Sequence, residues 1–283
     1  MPELPEVETV RRDLAPLVAG RRIEAVEVDP ASAPLLLGNT GIDAFRAALV
    51  GRRFLGIGRR GKYLLFELDD GNTLVAHLRM TGRLVWRRHA APPEPYQRAM
   101  LELDDGHDLR WSDLRKFGTW RLVADPNDAV GKLGPEPVDD GFTLPGFRTA
   151  LKGRSAPIKS VLLDQRRVAG IGNIYADEAL YEARIAPSTA AGQIGPAFAK
   201  RLHAAVRSVL ERGIANRGAS FKDYVDGAGQ QGHQQMFVQV FRRTGKPCYA
   251  CGSMIERVVI GGRSTHFCPR CQRTPRRRPA RAR

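Results

Sequence analysis

Three things are scarce in this chain, and each scarcity narrows what the protein can be. No apolar run approaches the length needed to cross a bilayer, and the start has neither the basic nor the apolar stretch of an export signal. The expectation is a cytoplasmic protein with no membrane partner. Cysteine is limited to four residues, none before Cys248, so most of the chain must rest on an apolar core rather than on disulfides. Acidic residues also run short, with 30 Asp and Glu against 45 Lys and Arg, for a formal net charge of +15. Such an imbalance points to a polyanionic partner. The deficit is steepest at the end: from Met236 onward twelve Lys and Arg face Glu256 alone, which accounts for +11 of the total and leaves +4 for the rest. A nucleic-acid-binding module is expected there.

What is present suggests more than one domain, since 283 residues at 42% apolar content suffice for two cores. The chain opens MPELPEVETVRRDL. Pro5 suits the first position of a helix, Val7, Val10, Leu14 and Leu17 recur at helical spacing, and Gly20 ends the run. That explains Pro5 but not Pro2 and Glu3. Short β-like runs follow: RIEAVEVD, RRFLGIG, KYLLFEL, NTLVAHL and GRLVW. LFELDDGNTLVAHLRMTGRLV and MLELDDGHDLRWSDLRKFGTWRLV form a weak repeat, each with a DDG turn between apolar strands and a polar stretch after the second strand. Two such hairpins predict a β-sandwich or flattened barrel. The stretch 124–146 is rich in Pro and Gly and reads as a connection. Helical patterns then run from about 147 to 215, with Phe198, Leu202, Val206 and Val209 on one face of the last helix. The Gly-rich stretch 217–235 reads as a mobile loop.

Cys248, Cys251, Cys268 and Cys271 form C-x2-C-x16-C-x2-C, a four-thiolate zinc spacing. Disulfides are the alternative, and a reducing cytosol disfavours them. Four thiolates leave no open coordination position, so a single structural Zn2+ is expected, and His266 is read as a strand residue. DQRRVAGIGNIYADEAL places a glycine turn before a helix starting near Asn173, which is either a phosphate site or an ordinary helix–helix turn. Met80 and Phe117, in the two polar stretches, read on composition alone as sandwich core. An exposed Met or Phe beside Arg115 would instead be suited to filling a gap in a base stack.

The motifs PELPEVET, RRGKYLL, HLRMTG, DLRKFG, LGPEP, GIGNIYADEAL and the final cysteine pattern occur in this order. Over residues 1–272 the chain thereby resembles the formamidopyrimidine-DNA glycosylases, bacterial repair enzymes for oxidised purines. The sister family, endonuclease VIII, typically starts PEGPE, and Leu4 favours the first. The resemblance implies an α+β fold: an N-terminal catalytic β-sandwich domain with flanking helices over 1–123 and an inter-domain linker over 124–146. A helix–two-turn–helix domain over 147–235 would carry a lid loop at 217–235. A zinc-finger β-hairpin over 236–272 and a disordered basic tail over 273–283 would follow.

It also implies roles. With Met1 removed, the Pro2 nitrogen becomes a secondary amine, and α-amino groups titrate near ~7.7–8.0 against ~10.4 for lysine, so more of it is free base at neutral pH. Its attack on a sugar C1′ gives a cationic iminium that drives β- and then δ-elimination. Glu3 is the implied general acid and base and Glu6 a positioning group. Lys62 is implied in phosphate contact and β-elimination, and Arg263 in phosphate contact and δ-elimination. Met80, Arg115 and Phe117 would fill the gap left by an extruded base. Asn173, with Lys159 and Arg154, would hold the phosphate backbone, and Ser220 and Lys222 of the lid would contact the lesion. Two departures stand out. PYQRAM replaces a family segment with a DNA-contacting histidine, leaving Tyr96 or Arg98, or nothing, for that contact, and the lid reads QGHQQM where relatives often place an aromatic residue. The implied partner is damaged double-stranded DNA, bound by a monomer. The alternatives are an endonuclease VIII-like enzyme for oxidised pyrimidines and a non-catalytic zinc-ribbon DNA-binding protein.

Overall fold

The computed structural model describes residues 1–274, so all but the first two residues of the expected tail lie outside the described residues. The chain forms two compact units, Met1–Lys132 with Gly213–Gln235, and Leu133–Arg212 with Met236 onward.

The first unit opens on α1 (Leu4–Val18), with Pro5 in its first turn. Its buried stripe is Val7, Val10, Leu14 and Val18, while Leu17 is exposed. The one-residue slip from the sequence reading follows from 3.6 residues per turn, which brings Val18 and not Leu17 under Leu14. Next come β1 (Ile23–Val28), α2 (Ala33–Leu37), α3 (Ile42–Leu49), β2 (Phe54–Arg60), β3 (Tyr63–Leu68), β4 (Thr73–His77) and β5 (Gly82–Arg88). Then follow β6 (Gln97–Leu103), β7 (His107–Asp113), β8 (Thr119–Val123) and the short α4 (Asn127–Val130), which falls inside the stretch read as a connection. The strands make two antiparallel four-stranded sheets, in the orders β1-β6-β7-β5 and β2-β3-β4-β8.

The two repeated hairpins are there, β3–β4 in one sheet and β6–β7 in the other. The strand after each hairpin does not stay with it. β5 leaves β4 and pairs with β7, while β8 leaves β7 and pairs with β4. HLRMTG and DLRKFG are thus the two crossovers between sheets, and a change of sheet explains why both stretches interrupt the alternation. One apolar core joins both sheets and α1: Val10, Leu14, Phe54, Phe66, Leu101 and Leu109 are all within 2% of full burial. Trp111 of β7 and Trp120 of β8 meet edge-on across it, with ring centroids 5.5 Å apart.

The second unit holds α5 (Leu144–Leu151), α6 (Ile158–Leu163), α7 (Asn173–Glu182) and most of α8 (Pro196–Ala215). Leu202, Val206 and Val209 of α8 are buried, as the periodicity predicts. The unit closes with the hairpin β9 (Glu256–Ile260) and β10 (Arg263–Phe267), joined at Gly261-Gly262. Both glycines have positive φ, 56° and 72°, as the tight turn of a twisted hairpin requires. The segment 213–235, grouped with the helices in the sequence reading, packs within the first unit, for reasons that lie in its hydrogen bonds to α1.

Replacing Trp120 by alanine removes the ring that meets Trp111 and Phe45, and is expected to cost about 3–5 kcal/mol of stability. Urea unfolding of the variant checks this. A loss below about 1 kcal/mol would show that the core does not depend on this pair.

Candidate active site and nucleic-acid contacts

Behind an exposed Met1 the start of the chain is buried, which its charge alone does not predict. Pro2 is buried, and Glu3 and Glu6 retain 2% and 1% of their exposure. Glu6 sits in the first turn of α1, where helix N–H groups favour a carboxylate. Its Oε2 accepts the Glu3 backbone N–H at 2.8 Å, and its Oε1 accepts the Ala219 backbone N–H at 2.7 Å. One side chain therefore fixes both the first residues and the start of the 217–235 segment. Gly218, at φ +76°, makes the approach possible: a Cβ there would sit 2.8 Å from Glu6 Cγ.

Lys62, also buried, lies with Gly61 in the turn between β2 and β3. That turn is held from α1. The Glu8 carboxylate receives Arg11, Arg12 and Arg59, and Arg59 also donates to the Gly61 carbonyl at 3.0 Å. Burial would raise the Glu8 pKa, but hydrogen bonds from the three guanidinium groups outweigh it and hold the carboxyl down at about 2.

The crossovers present Met80, Arg115 and Phe117 at the surface, with 40% of Met80 and 48% of Phe117 exposed, so neither is core. The Arg115 guanidinium lies 4.7 Å from the Phe117 ring centroid and 2.8 Å from the Met80 sulfur. The residues before the two apolar tips, Arg79 and Lys116, have φ of 51° and 59°, a strained arrangement for side chains of that size. Buried Asp113 holds both turns: it accepts the Thr81 hydroxyl, the Arg115 N–H at 3.1 Å and the Gly118 N–H at 2.7 Å. Gly118 cannot be replaced, because a Cβ would run into the Trp111 ring. At the start of the first crossover, His77 is buried edge-on against Tyr63, and its Nδ1 accepts the Arg79 N–H at 2.9 Å. Burial, helped by the Arg79 and Lys62 charges, lowers the His77 pKa to about 3. The ring is neutral at physiological pH, with its proton on Nε2.

Ser220 is internally committed: its hydroxyl donates to the Tyr224 carbonyl and accepts the Gly232 N–H. Lys222 is exposed. Arg217 anchors the segment to α1 by pairing with Asp13 and Asp226 at 2.7 and 2.6 Å. Tyr96 is 56% exposed, whereas Arg98 is tied to Asp29 and the Asp113 carbonyl. Of the two replacements considered for the missing histidine, only Tyr96 is presented to solvent.

In the second unit the four cysteine Sγ atoms lie within 4.8 Å of one another, with pairs at 3.5 and 3.9 Å. A tetrahedron with Zn–S bonds of about 2.3 Å has edges of about 3.8 Å, so these thiols fit a zinc ion. His266 is not among them; its Nδ1 lies 3.1 Å from Asp177. Arg263 is exposed beside the Gly261-Gly262 turn. Asn173 begins α7, and its amide nitrogen donates to the Ser264 carbonyl at 2.9 Å. Arg154 Nε is committed to the Ala150 carbonyl. Lys159, expected to touch phosphate, is fully buried and ion-paired with Asp177 at 2.7 Å, so a DNA contact by its ammonium is ruled out in this conformation.

The sequence reading missed Asp113, His77, Glu8 and Asp177. The first two stand at the heads of DLRKFG and HLRMTG, where a polar residue ending an apolar strand is the one local signal. Asp177 has none, since its partners are remote in sequence, and at Glu8 the local Arg11 and Arg12 give no hint of the remote Arg59.

Family models match the chain in three places. They are the formamidopyrimidine-DNA glycosylase N-terminal domain over residues 1–120, the formamidopyrimidine-DNA glycosylase H2TH domain over 133–224, and a zinc finger found in FPG and IleRS over 245–274. A formamidopyrimidine-DNA glycosylase of Heliobacterium modesticaldum is 49% identical over 281 residues, covering 96% of this chain and 100% of the relative. Another, of Moorella thermoacetica, is 49% identical over 262 residues, covering 91% and 94%. Among solved structures, wild-type Lactococcus lactis Fpg with N7-benzyl-Fapy-dG DNA matches at a TM-score of 0.89 and 38% identity, covering 96% of this chain and 100% of that one. MutM of Thermus thermophilus matches at 0.86 and 42%, covering 97% and 100%.

Two outcomes follow from this geometry. Asp113→Ala frees both crossovers and is expected to lower affinity for damaged duplex about tenfold, measured by fluorescence anisotropy; unchanged affinity would show that the turns hold without it. His77, neutral in the fold, titrates near 6.5 when unfolded. Its contribution is complete above about pH 6.5 and lost as pH falls toward 3, by about 1.4 kcal/mol per pH unit. His77→Gln should therefore flatten the fall of stability across that window in urea titrations, and an unaltered slope would contradict the assignment.

Proposed function

The chain belongs to the formamidopyrimidine-DNA glycosylase family, and on that premise we propose how its residues carry the reaction. It is a base-excision-repair glycosylase for oxidised purines, bifunctional through its abasic-site lyase activity, with one structural zinc ion. The observation that carries the residue assignment is the buried tip of α1, where Glu6 accepts the Glu3 N–H and so fixes the two residues next to the nucleophile.

In this reading, removal of Met1 converts the Pro2 nitrogen from an amide into a secondary amine. Its lone pair attacks the sugar C1′, and the damaged base departs with a proton supplied through Glu3. Opening of the sugar leaves a C1′ iminium that cannot be neutralised by losing a nitrogen proton. It withdraws electrons so that loss of a C2′ proton expels the 3′ phosphate, and further loss at C4′ expels the 5′ phosphate. Lys62 serves the first elimination and Arg263 the second. Met80, Arg115 and Phe117 fill the stack after the base is turned out. Their exposure and the Arg115 contacts to both neighbours support that role. Asn173, Tyr96 and Lys222 contribute backbone and lid contacts, while Ser220 shapes the lid from within.

The protein works as a monomer in the cytoplasm on damaged double-stranded DNA. The charge of +15 supports such a partner, and among the described residues no helix is long and apolar enough to cross a membrane.

Borohydride trapping on a duplex containing 8-oxoguanine tests the residue assignment. Protein lacking Met1 is expected to form a covalent adduct, Pro2→Gly to lose it, and Glu3→Gln to lose excision while still binding. An undiminished adduct in Pro2→Gly would remove Pro2 as the nucleophile. Faster release of thymine glycol than of 8-oxoguanine would point instead to specificity for oxidised pyrimidines.

A further inference from the structure

Lys159 has a function that its burial, rather than its charge, brings out. Its ammonium lies 2.7 Å from Asp177 Oδ1 and donates to the Ser264 carbonyl at 2.8 Å and the Thr265 hydroxyl at 2.9 Å. The ammonium thus bonds two successive residues of β10 while lying against a carboxylate. The Ser264 carbonyl also accepts the Asn173 side-chain amide, so both of its lone pairs are engaged from the helices. Asp177 Oδ2 accepts the His266 backbone N–H at 2.9 Å. Three consecutive residues of β10 are therefore gripped by α6 through Lys159 and by α7 through Asn173 and Asp177. The residue just before them is Arg263. The hairpin turn is close to the same helix, since a Cβ on Gly261 would meet Ser160 Oγ at 3.0 Å.

We propose that the buried Lys159–Asp177 pair is a positioning device that sets the strand carrying Arg263 and, through the shared Ser264 carbonyl, locks Arg263 and Asn173 into one register. Neither Lys159 nor Asp177 touches DNA. Apolar side chains of similar volume generally pack a core at least as well as a buried ion pair, so packing alone does not explain two charges here. What the pair supplies is direction, with charge-assisted bonds onto two successive residues of one edge of β10. Asn173 gives one hydrogen of its amide to Ser264 and keeps the other for a phosphate oxygen. Register between the two phosphate contacts then comes from a single carbonyl. The inference rests on the proposed role of Arg263 in expelling the second phosphate.

The test is a single-turnover assay on 8-oxoguanine duplex, resolving products of β-elimination from those of δ-elimination. The variant is the full-length zinc-loaded double substitution Lys159→Met with Asp177→Asn, which removes both charges together and leaves neither one buried alone. Base excision is expected to stay within about twofold of wild type, while the ratio of δ to β products falls about tenfold, the size of effect that a small misplacement produces. A general loss of stability would slow both steps and leave the ratio alone. Arg263→Ala, run alongside, should lower the same ratio further. A wild-type ratio in the double variant, with a lowered one in Arg263→Ala, overturns the positioning role. A wild-type ratio in Arg263→Ala overturns the reading of Arg263, and the proposal with it. Should the double variant lose zinc or unfold, Thr265→Val takes its place. It keeps both charges and removes one acceptor of Lys159 together with that hydroxyl's own bond to the Arg263 carbonyl, and is expected to lower the ratio about threefold; an unchanged ratio there counts equally against the proposal.

Discussion

The first unit depends on where one carboxylate points. Glu6 lies in the opening turn of α1, a position that helix electrostatics favour for an acid, and each of its oxygens holds a different backbone amide. One amide belongs to Glu3 and orders the tip of the chain. The other belongs to Ala219, more than two hundred residues later. The rest of that contact is arranged around it. Gly218 leaves room for the side chain, the Tyr224 hydroxyl approaches the carbonyls of Glu6 and Arg217, and Arg217 is clamped by Asp13 and Asp226. A segment with little regular structure is thereby tied at its base to α1, while Lys222 remains exposed on it.

The exchange of strands between the sheets supplies the second requirement. The proposed base-stack wedge must be apolar, exposed and rigid, which ordinary loops combine poorly. Here the two crossovers leave a common core stapled by Trp111 and Trp120, and buried Asp113 ties each of them back to the scaffold. Met80 and Phe117 can stay in water because the strained residues beside them are held from below. The zinc hairpin solves the same problem in another way. Four thiolates fix its base, and the Lys159–Asp177 pair fixes the strand that presents Arg263.

How far this was legible in the sequence varied with how local the signal was. The cysteine spacing, the DDG hairpins, the helical stretch from 147 to 215 and the Gly261-Gly262 turn are written within a few residues, and all are found. The partners of β5 and β8 are not, because local pattern says that a strand exists but not which sheet receives it. Leu17 and Val18 exchange places because one residue of phase separates them. Met80 and Phe117 read as core on composition, since an apolar residue in a turn looks the same whether buried or displayed; the structure exposes both. Lys159 failed in the opposite sense. A lysine is assumed to be exposed, and only the fold reveals the aspartate eighteen residues away that allows it to be buried.

The central claim, that one carboxylate couples the N-terminal tip to the segment 217–235, is tested most directly by amide hydrogen exchange in Glu6→Gln. Glutamine keeps the shape but has a single acceptor oxygen, so the amides of Glu3 and Ala219 cannot both remain satisfied. At least one of them is expected to exchange about tenfold faster or more, with the core strands unchanged. Wild-type protection at both amides would contradict the account.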